Sequence, residues 1–550
     1  MPEPRGIDEQ WDAIIIGTGM GGATLGYALA RAGQRVLFCE QGSDTMGDDQ
    51  ALLGRYPETL FPRPAAPQPE HGALLARAGR YRQQIRDESA PRTLTFIPFI
   101  GAGTGGSTAL YGMALERFFP SDFAPKRNFP DAAGATLPAA WPITYAQLAP
   151  YYEAAETLFR VRGTADPLRQ EPARAHFMAP PALTPAASEL VDFFQRQQLH
   201  PYRLPMACEF VPGCACCQGY LCDKNCKNDA RRICLEPALA RHGAQLLGDC
   251  EVLRLEASAT RVTGVVCRRG DAEFTLRANT VVLAAGALES PAILLRSASE
   301  HWPAGLANRS GMVGKNLMRH HVDLYLVEPK LKGEFDNRQK EFAFNDFYQA
   351  NGQKLGSVQS FGRLPPAPVL AASMADDLRQ GPLPWTAPLF KLAKPVVTPV
   401  LDKLVNRRMI LATTLEDLPY ADNSVDIAAP GAAAPLTLRY RVRPHDSARI
   451  AAFRAVMKGV LKSYSFSLIK QADNNQRIAH VCGTCRFGTD PADSVLDANN
   501  RAHALANLYV VDGSFFPSSG GTNPSLTIAA NALRVADHLN AIKEQGHETE

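Results

Sequence analysis

The sequence predicts an α/β chain, α+β overall. A parallel-sheet domain opened by a glycine fingerprint is joined to a second domain built on a mixed or antiparallel sheet with helices. Three observations carry this. A short apolar run ends in Gly17-Thr18-Gly19-Met20-Gly21-Gly22, followed by a helical pattern and a second strand. Alternating segments between Glu251 and Leu283 read as a strand meander closed by a small-residue turn. From 322 to 477 the chain changes character, with irregular spacing, many prolines and mixed strand signals. At 550 residues, length alone suggests more than one domain.

The first strand is Asp12 to Ile16, the helix Ala23 to Ala32, and the second strand Arg35 to Cys39, ending at Glu40. Strand, G-x-G-x-x-G, helix, strand and acid in that order make a Rossmann-like unit. Gly17 permits the tight turn, Gly19 lets backbone approach a pyrophosphate, and Gly22 lets helix pack on strand. The helix N-terminus offers amides and a favourable dipole to phosphates, and Glu40 is placed to accept from a ribose diol. The motif alone does not separate FAD from NAD.

Residues 43 to 93 read as irregular and polar, with a helical segment from Leu74 to Ile85. Phe99 to Met113 holds five glycines within twelve residues, each costly in backbone entropy, as suits a loop laid against a flat ligand. A helix begins near Trp141 to Glu153, and another holds Leu235 to Ala240. Glu251–Leu255, Val262–Arg268, Glu273–Leu276 and Thr280–Leu283 form the meander, which runs into the turn Ala284 to Pro291. Val313 to His321 marks a further turn. Leu383 to Val405 is apolar, holds four prolines and carries Lys391, Lys394 and Lys403. It reads as a buried, proline-broken segment in preference to a lip on a membrane surface.

Charge is nearly balanced, 58 Lys+Arg against 55 Asp+Glu, so nothing steers the chain towards nucleic acid. No apolar run reaches the ~18 residues of a membrane span. Met1 to Gln10 lacks the basic and apolar regions of a secretory signal, so a cytoplasmic chain is expected, with peripheral membrane association or export alongside a partner left open. Seven of the twelve cysteines fall between Cys208 and Cys234, which points to a metal or cluster site before disulfides.

Near the end lie His480-Val481-Cys482-Gly483-Thr484 and Ser519-Gly520-Gly521-Thr522-Asn523-Pro524. With the fingerprint, the Gly105-Gly106-Ser107 loop and Gly112-Met113, Trp141 to Tyr152, Val281 to Pro291, Val313 to His321 and the block to Asp537, the chain resembles the glucose–methanol–choline oxidoreductase family. The motifs occur in the family's order, and the C-terminal block is the most specific. Residues 322 to 477 match weakly.

The resemblance implies a Rossmann-like FAD-binding domain (8–140, 235–321 and 478–545), a substrate domain (141–205 and 322–477) and a cysteine-rich segment (206–234). It implies FAD held by Gly17, Gly19, Gly22, Glu40, Gly105, Gly106, Ser107, the Val252 backbone, Asp512, Gly513 and Asn523. Some members attach flavin through a histidine where this chain has Leu110, so the FAD is non-covalent there. Tyr111 stands where many have asparagine.

Alcohol oxidation removes a hydroxyl proton and a carbon-bound hydride, so the base must reach the oxygen while the carbon faces the flavin. Histidine has the intrinsic pKa for that proton, which makes His480 the base, and the Asn523 amide would fix the hydroxyl. Cys216, Cys217, Cys222 and Cys226, spaced C-C-x4-C-x3-C, are similar to the cluster motif of bacterial FAD glucose dehydrogenases. They could hold an iron–sulfur cluster such as [3Fe-4S] that passes electrons to a cytochrome or quinone. A zinc knuckle and plain thiols are the alternatives. Without a cluster, oxygen becomes the acceptor and the enzyme an oxidase. A hydroxynitrile-lyase-like activity on the same scaffold is a further alternative.

Overall fold

A computed structural model describes residues 10–44, 51–61, 68–90, 92–171, 177–331, 336–350, 352–380, 385–429, 432, 434–473, 478 and 480–548. Most of the N-terminal segment used for the targeting expectation lies outside these. No helix of the described residues is long and apolar enough to cross a membrane.

The first sheet has seven strands. Gln245–Leu247, Val36–Cys39, Gln10–Ile16 and Ala272–Leu283 lie side by side in parallel, and Val262–Arg269 and Glu251–Ala257 continue antiparallel. Leu508–Val510 pairs in parallel with the end of Ala272–Leu283. Gln10–Ile16 buries Ala13 to Ile16 on both faces, which its continuous apolar run anticipates. Helix Met20–Arg31 packs over this sheet and against the long C-terminal helix Ser525–Glu548. Lys543 Nζ reaches Asp12 Oδ2 at 2.9 Å and Gln34 bonds Asn540 at 2.7 Å, tying the last helix to the first βαβ unit.

The second sheet is antiparallel and six-stranded, in the order Phe466–Ile469, His321–Val327, Met409–Leu415, Gly356–Ser360, Phe342–Phe344 and Tyr202–Arg203. Its helix-backed core gathers Phe194, Tyr325, Phe344, Leu411 and Phe453. A third sheet has four strands, in the order Ser424–Ile427, Leu436–Arg439, Ile85–Asp87 and Leu94–Phe96.

Four expectations are corrected. The helix expected over Leu74 to Ile85 is Pro69–Arg77, because Gly79 at φ +64° turns the chain out of it and Ile85 joins a strand. The two strands Glu273–Leu276 and Thr280–Leu283 are one of twelve residues, Ala272–Leu283. Its first half has an antiparallel neighbour and its second half two parallel ones, so the pattern changes midway without a break. Within Leu383 to Val405, the expected buried segment is instead helix Thr386–Asn406, with Leu389, Leu392, Val396 and Val400 exposed. It runs through Pro395 and Pro399, and Thr398 Oγ1 donates to the Lys394 carbonyl at 2.8 Å. The charges around the cysteines, Asp223, Lys224, Lys227 and Arg231, read from the sequence as a solvent-facing loop, but Lys227 is buried and donates to the Ala109 and Tyr220 carbonyls.

Candidate active site

Gly17 sits at φ +100°, and a Cβ there would meet the Ala284 oxygen at 2.5 Å. A Cβ on Gly22 would meet the Gly17 oxygen at 2.2 Å, and one on Gly21 the Val511 oxygen at 2.1 Å. The helix can therefore rest on the sheet only through these glycines. Gly21 is a requirement that the fingerprint reading missed, because its contact is with a strand from the other end of the chain. Gly19, the helix N-cap, is different: its Cβ would find only Gly106 Cα, at 4.0 Å. The helix N-terminus, with its unpaired first-turn amides, is open on that side.

Glu40 is buried, and Oε2 accepts from Thr18 N (3.1 Å) and Thr18 Oγ1 (2.6 Å), Oε1 from Gly42 N (3.0 Å). Burial raises its carboxyl above the usual range, with Thr18 opposing. Gly105 N donates to Thr18 Oγ1 at 3.2 Å, so the second glycine loop is bonded to the first, with Ser107 exposed above them. Leu110 is buried, and Tyr111 turns away to donate to the Asn228 carbonyl. Asp512 Oδ2 accepts from Gly286 N at 2.9 Å and Oδ1 from Ser514 N at 2.8 Å, joining Gly513 to the end of the central strand. Val252 is buried, at an irregularity in the pairing of Glu251–Ala257 with Val262–Arg269. The uncapped helix end, the side-chain-free surface of Gly19 and the carboxylate of Glu40 suit a dinucleotide: diphosphate at the amides, ribose at Glu40.

His480 sits at φ +59°, a conformation uncommon for a side chain of this kind and often retained at functional positions. Its Nδ1 lies 2.8 Å from His320 Nδ1. His320 Nε2 lies 2.9 Å from the Gly520 carbonyl and 3.1 Å from that of Ser519. Carbonyls only accept, so His320 carries its proton on Nε2. Its Nδ1 then accepts from His480 Nδ1–H, and His480 Nε2 is left as an unprotonated lone pair. Burial pushes His320 down to about 4. Burial, then the neighbouring His320 and Lys340, hold His480 well below the ordinary histidine value. Both rings are neutral at neutral pH. The sequence reading passed over His320 as part of a turn. Its signal is the backbone bridge Met318↔Cys482, whose antiparallel register sets position 320 opposite 480.

Asn523 is buried, and Nδ2 donates to Gln359 Oε1 at 3.0 Å, with Glu116 Oε2 at 3.4 Å. Thr522 Oγ1 and Tyr202 also donate to Glu116. The turn before it is held by Gly520 N to Glu416 (3.2 Å) and Gly521 N to the Tyr348 hydroxyl (2.8 Å), above a buried Lys354 paired with Asp122 and Glu416. Lys340 is buried with its ammonium against Gly112, and burial lowers it to about 8, with Glu116 opposing. A cavity of about 340 Å³ opens beyond Glu116, lined by Arg117, Asp166, Arg169 and Tyr202 among others.

The four expected cysteine ligands do not form one closed set. Cys208, Cys214 and Cys226 group together, and Cys217, Cys222 and Asp223 form another group. Cys214 Sγ is the hub, 3.2 Å from Cys226, 3.8 Å from Cys208 and 4.0 Å from Cys216, while Cys222 lies 3.6 Å from Cys226. Cys208 and Cys214 are not among the expected ligands, because a spacing rule sees the dense run and not the backbone bridge of Cys208 with Lys227 that folds the segment back on itself.

Two GMC oxidoreductase models match the chain, over residues 205–322 and 419–532, in order. The chain belongs to the GMC oxidoreductase family. Membership carries the reaction class, FAD-dependent oxidation of an alcohol. Among relatives within the family, the chain is 29% identical to paromamine 6'-oxidase of Streptomyces fradiae, over 97% of this chain and 92% of that one. It is 26% identical to 2-methyl-1,2-propanediol dehydrogenase of Mycolicibacterium austroafricanum, over 97% and 95%. The crystal structure of pyridoxine 4-oxidase from Mesorbium loti superposes with a TM-score of 0.61 at 21% identity, covering 96% of this chain and 99% of that one, a likeness of fold.

Proposed function

We propose that this GMC oxidoreductase oxidises an alcohol to an aldehyde or ketone, with His480 as the base and Asn523 orienting the hydroxyl. FAD, held without a covalent bond at Gly17, Gly19, Gly22, Glu40, Gly105 to Ser107, Val252, Asp512, Gly513 and Asn523, supplies the hydride acceptor when bound. The observation that carries the reading is the 2.8 Å contact between His480 Nδ1 and His320 Nδ1. It leaves His480 Nε2 as a fixed, deprotonated acceptor for the substrate hydroxyl. Asn523 Nδ2 donates to Gln359 and Glu116, which hold the amide in one orientation. Lys340 contributes positive charge beside the developing alkoxide. Anaerobic mixing with a panel of alcohols tests this: flavin absorbance bleaches with a substrate, and roughly 10²–10⁴-fold more slowly in His480→Ala. Release of an aldehyde and cyanide from cyanohydrins without bleaching would instead assign the lyase chemistry.

The cysteine group extends the reading to the electron acceptor. Three thiolates suffice for a [3Fe-4S] cluster, which would supply one-electron transfer to a cytochrome or quinone. A single tetrahedral ion is the second reading, favoured by the spacing around Cys214, since a Zn–S bond of ~2.3 Å sets sulfurs about 3.8 Å apart. Iron with acid-labile sulfide and an EPR signal in anaerobically purified protein would establish the cluster. Zinc would establish the ion, and the absence of both would leave plain thiols.

A further inference from the structure

Helix Thr386–Asn406 carries an apolar ridge that no other element of the described residues covers. Leu389 is 58% exposed, Leu392 80%, Val396 72% and Val400 60%, with Trp385, 65% exposed, at the head of the helix. Their spacings of four, three, four and four residues place all five within an arc of about 80° at 3.6 residues per turn, over about 22 Å of helix. Single exposed apolar residues are ordinary, but a contiguous stripe marks an interaction surface. The segment is also basic. Residues 386–407 hold Lys391, Lys394, Lys403 and Arg407 against Asp402, a net +3, while Arg408 beyond them donates to the Leu326 carbonyl and pairs with Glu328.

We propose that this helix seats flat on an anionic lipid surface, its ridge among the acyl chains and its cations at the headgroups. Two facts select lipid over other occupants. The helix is not apolar enough to span a membrane, so it would lie on one. A second copy of the chain would bring two segments of net +3 together, whereas anionic headgroups complement them. The hairpin of Ala367–Gln380 and this helix springs from the end of Gly356–Ser360, the strand whose Gln359 holds Asn523. Docking there would set the substrate side of the molecule next to the bilayer.

The test is co-sedimentation of the flavin-loaded full chain with vesicles of phosphatidylcholine, with and without phosphatidylglycerol. The protein should pellet with the anionic vesicles and bind neutral ones about tenfold more weakly. The double variant Leu392→Gln/Val396→Gln should lose about tenfold or more in partitioning while keeping flavin content and activity on a water-soluble substrate. Lys394→Glu/Lys403→Glu should lose binding to anionic vesicles only. Wild-type protein left in the supernatant with both vesicle types would overturn the proposal. So would undiminished binding by Leu392→Gln/Val396→Gln, or a lipid-free dimer that this variant dissociates, which would assign the ridge to a second copy.

Discussion

His320 Nδ1 accepts a hydrogen bond from His480 Nδ1 at 2.8 Å, and so leaves Nε2 as the free lone pair of the His480 ring. His320 is anchored in turn by the Ser519 and Gly520 carbonyls just ahead of Asn523. One side chain thus bonds both the His480 ring and the turn that carries Asn523.

His480→Ala should lose roughly 10²–10⁴-fold in kcat while keeping bound flavin, because only proton removal is lost. His320→Leu removes the tautomer lock and should lower kcat by about tenfold or more with little change in KM. His320→Gln, which can still accept from His480, should recover part of it. Steady-state kinetics with a flavin spectrum check this. Equal losses in His320→Leu and His320→Gln would make His320 merely structural.

His320 also sets an acid limit on stability. Its folded value, about 4, lies below the 6.5 of an exposed histidine, so between these the unfolded chain binds a proton that the folded one refuses. Stability should therefore fall as pH drops from 6.5 towards 4, by about 3 kcal/mol from this group. In His320→Gln the melting temperature should fall less over the same interval. An identical slope in the variant would remove His320 as the cause.

Lys340 predicts an alkaline limb. Its ammonium deprotonates near pH 8, so a contribution to alkoxide stabilisation is present below that pH and lost above it. kcat/KM should decline above pH 8, and Lys340→Met should be slower by about tenfold at pH 7 with that decline abolished. The same variant removes a charge that lowers His480, so its acid limb should move to higher pH. A pH–rate profile that superposes on wild type after scaling would exclude both effects.

Two glycines separate packing from propensity. Gly22→Ala forces a Cβ to 2.2 Å from the Gly17 oxygen and should yield protein with little bound flavin. Gly72, inside Pro69–Arg77, meets nothing within 4 Å, so Gly72→Ala should stabilise by about 0.5–1 kcal/mol. Flavin-to-protein ratio and thermal melts read both.

The first βαβ unit was legible because local rules govern it: a buried strand needs an apolar run, and a phosphate turn needs glycine. His480 and Asn523 were legible as motif residues, but their partners were not. His320, Gln359, Glu116 and Lys340 come from four distant stretches, and only strand register unites them. The exposed helix Thr386–Asn406 was misjudged because its ridge and its prolines share a segment, and an apolar stripe does not declare whether protein covers it.

The second half of the central strand Ala272–Leu283 has one neighbour from the beginning of the chain and, at residues 281–283, another from residues 508–510. During synthesis, its second edge stays open until more than two hundred further residues have left the ribosome. Such long-range pairing folds slowly and exposes a sticky edge meanwhile. Recombinant yield should therefore respond to slower translation, cooler growth or added chaperones more strongly than to changes at the surface.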